Sequence, residues 1–374
     1  MRNRHFLILA AIFAIFLMFV GCGKKSAPTQ SVMNDAGIMD EPIPTGPDAD
    51  KQLVKMGLDA AGIQDYAKAE KRFKQAMIAN PYNSDAAYNL GITQIKLGKG
   101  AEAVTNLQTA LGMKPGNVNI MLQLGNAYVL SENYSSARSQ FDSVLAQDPG
   151  NLQAKNGLAV VYIKNGQHGQ AMEILKGILR ENTNIVDAHI NVALLFLDED
   201  KPWLALQVLK KAQEQDGTNP NIANNMGYIW QKMGDLKKAK SHFERAVELD
   251  PNHAEALGNL GGLELKFKDI ENAYLHLQRA AELAPGNAFI QLNYGAAARE
   301  KEQYEEAEQA YKKALAIDPT LAEAYHNLGI LYANFMDRTD EAIQNFNLYL
   351  QYSEGQKDRN ERVTKWIQDL QKKK

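Results

Sequence analysis

Cysteine is almost absent: Cys22 is the only one in 374 residues. That excludes a disulfide framework and a thiolate metal site. Charge of one sign is lacking too. The formal net charge is −3 and falls to about −5 if Arg2 and Arg4 leave with a cleaved leader, so a nucleic-acid partner is not expected. There is no phosphate-cradling glycine loop, because the Gly261-Gly262 pair falls inside a helical pattern. The mature histidines, His168, His189, His242, His253, His276 and His326, show neither an HExxH motif nor a paired ligand spacing. The sequence thus offers no catalytic residues, no metal site and no cofactor site, and an enzyme is not expected.

What is present is a repeated unit, clearest in Asn221 to Pro251. Met226 and Trp230, then Ala239, Phe243 and Ala246, fall at helical spacing, with a break at Gly234 and a stop at Pro251. The stretch reads as a helical hairpin. Steps of 34 residues reproduce its end at Pro81, Pro115, Pro149, Pro285 and Pro319, and a fixed period of that size predicts a solenoid. Gly57, Gly91, Gly125, Gly227, Gly261, Gly295 and Gly329 recur in the first helix of the hairpins, where glycine costs roughly 1 kcal/mol against alanine. Such a cost implies close backbones, with the recurring alanines from Ala69 to Ala307 facing the glycines where the pair crosses. Four residues beyond each alanine runs a large apolar stripe, Phe73, Leu107, Phe141, Leu175, Leu209, Phe243, Leu277 and Tyr311, which is the expected core.

These residues resemble the tetratricopeptide repeat (TPR) pattern of Leu-Gly, a Tyr-like residue, Ala, an aromatic and Pro. Leu124, Gly125, Tyr128, Ala137, Phe141 and Pro149 match it in one copy, and Leu328, Gly329 and Tyr332 match it in another. The resemblance implies an all-α, right-handed superhelical solenoid of nine repeats over residues 50–353. Residues 354–374 are expected to form a capping helix, anchored by Trp366, and a basic tail. Ala159 and Ala193 replace the glycine in the middle, and Thr183 and Gly217 replace the closing proline, so the stack is expected to bend or open there. Repeat nine carries one extra residue in its turn, between Phe335 and Thr339.

The N-terminus reads as an export signal. Arg2 and Arg4 precede an apolar run from Phe6 to Val20 that is too short to span a bilayer comfortably. Phe19-Val20-Gly21-Cys22 resembles a bacterial lipobox, with Phe where Leu is usual. This implies a signal peptide over 1–21, diacylation of Cys22 and stable membrane anchoring. The alternative is an uncleaved anchor with an incidental cysteine. Gly23 after the cysteine points to the outer membrane, facing the periplasm of a Gram-negative bacterium. Residues 22–49 form the lipidated cysteine and a polar, proline-punctuated linker, expected to be disordered.

Function is expected on the concave face, which in this family is lined by the first helix of each hairpin. One such row reads Asn89, Gln123, Gly157, Asn191, Asn225, Asn259, Asn293, Asn327. Side-chain amides donate and accept, so this ladder could hold the backbone of an extended peptide; alternatively each Asn bonds to the adjacent repeat. With neighbouring Tyr88, Ile92, Asn126, Leu194 and Tyr228 these are the candidate partner-binding residues. Lys and Arg of the chaperone-binding carboxylate clamp are missing: its positions read Val54, Leu58, Asp85 and Asn89, or Leu122, Asn126, Gln153 and Gly157. The expectation is a membrane-tethered scaffold that binds protein partners and supports an envelope machine of the gliding-motility or type IV pilus kind. A scaffold for peptidoglycan or cell-envelope enzymes, and a glycan or small-molecule receptor, are the alternatives.

Overall fold

A computed structural model describes residues 43–353 and 356–372. The expected signal, Cys22 and most of the linker lie outside the described residues. Nine helical hairpins follow one another. The first five are α1 (Ala49–Gly62) with α2 (Tyr66–Ala79), α3 (Ser84–Lys96) with α4 (Gly100–Met113), α5 (Val118–Leu130) with α6 (Tyr134–Gln147), α7 (Leu152–Lys164) with α8 (His168–Glu181), and α9 (Val186–Asp198) with α10 (Pro202–Gln215). The last four are α11 (Pro220–Lys232) with α12 (Leu236–Leu249), α13 (Ala254–Lys266) with α14 (Ile270–Leu283), α15 (Ala288–Glu300) with α16 (Tyr304–Ile317), and α17 (Ala322–Phe335) with α18 (Thr339–Tyr352). A final helix, α19 (Lys357–Lys372), lies against α18. None of the described helices is long and apolar enough to cross a membrane.

Local chemistry sets the element boundaries. Asn83, Asn117, Asn151, Asn219 and Asn287 each accept a backbone N–H at the start of a first helix, as expected of an N-cap amide. At the other end, every hairpin turns through one left-handed residue. These fall at 34-residue steps: Gln64, Gly98, Glu132, Gly166, Asp200, Gly234, Lys268 and Glu302, then Asp337 one place late. In eight turns the N–H that follows this residue donates to the carbonyl five residues back, as in Lys99 to Gln94; Arg338 instead reaches six back to Tyr332. The inserted residue of repeat nine is absorbed in that wider turn.

The alanine row and the large apolar stripe are fully buried. The glycines, however, make room for the stripe rather than facing the alanine side chains. A methyl group added at Gly57, Gly125, Gly227, Gly295 or Gly329 would lie 2.5–2.7 Å from the ring of the stripe residue of its own repeat. The two alanine-bearing repeats place leucine opposite, Leu175 and Leu209. The stack stays continuous there, with Ala159 and Ala193 sealed in the core, but α8 packs on α9 and α10 on α11 less extensively than the other successive hairpins do. Gly157 takes over part of the missing glycine's role, since a methyl group on it would come within 2.4 Å of Phe141 of the preceding repeat.

The end of the stack is covered by α19, through Val363 and Ile367. Trp366 is not the main anchor. It is 42% exposed and lays its ring beside His326 and Phe346, because it sits about 100° round the helix from Ile367. Arg359 reaches back to His326 Nδ1 at 3.1 Å. Burial and that guanidinium push the His326 imidazole down to about 4, so it stays neutral in the cap.

Candidate functional site

The superhelix returns to touch itself within seven repeats. Gly286 N–H, between α14 and α15, donates to Leu97 O at the end of α3, at 2.9 Å. Gly98 and Gly286 press backbone to backbone: a methyl group at Gly286 would sit 2.6 Å from the carbonyl of Gly98. This clasp converts the expected open trough into a ring. Inside it is a chamber of about 800 Å³ lined by residues of all the first seven hairpins, from Gln64 and Tyr66 to Glu255 and Leu283.

Much of the lining comes from the early turns of the first helices, in rows at 34-residue spacing. Leu152, Val186, Pro220 and Ala254 form one row; Gln153, Asp187, Asn221 and Glu255 form the next; Asn156, Ile190 and Asn224 lie one turn on. Apolar Ile95, Leu122, Val129, Val160 and Ile190 alternate with amides. The wall can thus both exclude water from an apolar group and hydrogen-bond a backbone.

Of the expected binding residues, the ring brings Gln123, Asn126, Asn191 and Asn225 to the chamber. Asn126 donates to Gln123 Oε1, Asn191 to Asn156 Oδ1 at 2.9 Å, and Asn225 to the carbonyl of Asn221. The ladder is therefore mixed. Asn191 and Asn259 bond to the adjacent repeat, Asn259 through Asn224 Oδ1 at 3.0 Å, while Asn89 folds onto its own helix at Asp85 O. Tyr88, Asn89, Asn259, Asn293 and Asn327 lie off the chamber wall.

Ile92, Leu194 and Tyr228 are corrections of another kind. All three are buried: Leu194 joins the core around Leu206 and Leu209, and Tyr228 that around Phe243. All three hold the same 34-residue row as Asn126 and Val160, which do line the chamber, so the row faces the wall and it is the local packing of each side chain that keeps these three off it. Burial pushes the Tyr228 hydroxyl up to about 12, so it stays protonated.

Several lining residues carry signals that a single row misses. His253 Nδ1 accepts the N–H of Ala256, leaving the proton on Nε2 to reach Asn221 Oδ1 at 2.9 Å. Lys96 and Asp187 also face the chamber. Asp187 is one 34-residue step from Gln153, so the same periodic reading that found the asparagine ladder would have exposed it. Among the described residues no group of three His, Cys, Asp or Glu side chains is placed to hold a metal ion.

Tetratricopeptide repeat models match residues 61–109 and 129–193, 220–253, and 295–334, together half of the chain. No curated protein matches it. Among solved structures the chain is similar to PilF of Pseudomonas aeruginosa, with 23% identity over 60% of this chain and 97% of that one and a TM-score of 0.49. It is also similar to MamA of Desulfovibrio magneticus RS-1, with 26% identity, coverage of 46% and 96%, and a TM-score of 0.40. A third is YrrB, described as a TPR protein with an unusual peptide-binding site, at 22% identity, coverage of 49% and 93%, and a TM-score of 0.40.

Proposed function

The chain belongs to the tetratricopeptide repeat family, and on that premise we propose that it is a tethered scaffold whose ring of first helices holds a segment of a partner protein. Repeats of this family are in general non-catalytic and bind proteins. The observation that carries the reading is the chamber itself, which seven successive repeats line and in which repeats three to six set amides beside apolar side chains. An extended polypeptide presents the matching pattern, with a backbone that donates and accepts and side chains that alternate in direction.

The finer part of the proposal rests on the sequence. Cys22 carries the lipid, the outer membrane holds it, and the repeats face the periplasm of a Gram-negative bacterium, where they support assembly of an envelope machine of the gliding-motility or type IV pilus kind. Metabolic labelling with palmitate and membrane fractionation test the tether. The full chain should take up label and sediment with outer membranes, and Cys22→Ala should do neither; a wild-type chain recovered in the soluble fraction would overturn it.

A photo-crosslinking residue tests the scaffold. Placed at Gln153, inside the ring, it should form discrete adducts with proteins, and placed at Thr109, exposed on α4, it should not. The chamber's volume also falls in the range of small-molecule pockets, roughly 300–1,000 Å³, which favours a glycan or small-molecule receptor as the second reading. That reading is supported if Gln153 yields no protein adduct in cells that express the full chain.

A further inference from the structure

The chamber carries more charge than a site for neutral backbone requires. Lys96, Asp187, Asp250 and Glu255 come from four different repeats and share its wall. Lys96 feels all three carboxylates electrostatically, yet neither it nor Asp187 makes a hydrogen bond or an ion pair within 4.0 Å among the described residues. Burial pushes the Asp187 carboxyl up to about 7 and the Lys96 ammonium down, as expected of charges that lack a close partner. Lys96 ends α3 and Asp187 begins α9, so the two reach the chamber from different repeats.

The imbalance has a sign. Three carboxylates face one ammonium; Asp250 keeps one oxygen on the N–H of Asn252, and a fourth acid on the wall, Asp216, is engaged by both the N–H and the hydroxyl of Thr218. The wall also holds an orphaned acceptor. Asn225 is 3% exposed, and its Oδ1 takes no hydrogen bond although its Nδ2 donates to Asn221 O. Buried acceptors without donors are costly unless something supplies them. Both deficits call for a positively charged group with several N–H donors. The acids do not converge closely enough to hold a metal ion, so an organic cation on a stem fits them better than a bare one.

We propose that the chamber seats a lysine or arginine side chain of an extended polypeptide segment among Asp187, Asp250 and Glu255, with Lys96 holding the facing wall. This rests on reading the chamber as a peptide site, and it adds which peptides that site selects. Charge pairing of this kind acts on specificity more than on bulk affinity.

Binding to the full chain is measured by fluorescence anisotropy with three labelled nonapeptides of alternating Ala and Lys, Ala and norleucine, and Ala and Glu. The lysine peptide should bind about tenfold more tightly than the norleucine peptide, and the glutamate peptide should not bind. Asp187→Asn should lower lysine-peptide affinity about tenfold and leave the norleucine peptide unchanged, whereas Lys96→Met, which removes the competing cation, should raise lysine-peptide affinity. A gain of affinity cannot come from misfolding, and helical circular dichroism checks both variants. Equal binding of lysine and norleucine peptides would overturn the charge selection and leave the peptide site standing. Failure of all three peptides to bind would overturn both.

Discussion

Gly286 and Thr320 hold the same place in successive repeats, just after the prolines at 285 and 319, yet their backbones do different things. Thr320 N–H turns back to Asp318 Oδ1 at 2.9 Å. The same closure recurs at Tyr82, Gly150, Asn184, Thr218 and Asn252, each bonded to an Asn or Asp two residues earlier. At Gly286 the residue two earlier is Ala284, which has no acceptor, so its N–H is free to cross to Leu97 O. The side chain that fills this place in most other repeats is also missing, which lets Gly98 approach. Ring closure thus depends on the loss of two local groups, one that would have captured the donor and one that would have blocked the neighbour.

Restoring both groups should break the difference between the two loops and gives the largest effect. In Ala284→Asp with Gly286→Thr, the Asp would draw the 286 N–H back into its own turn, and the Thr would collide with the Gly98 carbonyl. A lost hydrogen bond of about 1 kcal/mol and a clash of about 2 kcal/mol together oppose closure by about 3 kcal/mol. Small-angle scattering should show a larger radius of gyration, with helicity unchanged. A scattering curve identical to that of the wild type would mean that the clasp does not hold the ring.

A second substitution sharpens the contrast by disturbing packing within one repeat and leaving the clasp intact. Gly227→Ala gains about 1 kcal/mol of helix propensity but sets a methyl group 2.7 Å from the Phe243 ring. Overpacking costs roughly 1–3 kcal/mol, so a net loss of about 1 kcal/mol is expected in urea unfolding followed by circular dichroism. With Phe243→Leu the pair becomes the alanine and leucine of repeats four and five, and adding Gly227→Ala should then cost less, because a leucine can turn away where the ring cannot, although at Gly91 and Gly261 leucine too sits 2.5–2.6 Å from such a methyl group. An undiminished cost in that background would show that the ring is not what the glycine accommodates.

These two cases also divide what the sequence could and could not disclose. The hairpins, their 34-residue register, the buried stripe and the extra residue of repeat nine are local and periodic, and each is visible in the spacing of Gly, Ala, aromatic and Pro. Closure is neither. It joins residues 97 and 286, and whether they meet depends on small rotations accumulated over five intervening repeats. Ala284 and Gly286 were visible as departures from the period, but a departure becomes a contact only when the curvature supplies a neighbour. The site divides in the same way. Asn191 and Asn225 follow from their row, whereas Ile92, Leu194 and Tyr228 share a row with Asn126 and Val160, which do line the chamber, a distinction that the period alone does not draw.

The smallest effect tests the position that links each hairpin, where the backbone is left-handed and most repeats lack glycine. Gly234 has φ of 85° and Lys268, one repeat later, has 64°. A lysine pays about 1 kcal/mol or more in that conformation, and its ion pair with Glu300 spans 3.9 Å from a largely exposed ammonium, which contributes almost nothing. Lys268→Gly removes the strain and adds roughly 0.5 kcal/mol of unfolded-state entropy that must be lost on folding. The difference, a gain of about 0.5 kcal/mol, should appear as a small rise in the urea midpoint, and a similar gain is expected at Glu132 and Glu302, whose φ values of 59° and 63° match. A fall in the midpoint would mean that lysine supports the turn in some way other than through its backbone, and that the turn residues differ between repeats as the loops around Gly286 and Thr320 do.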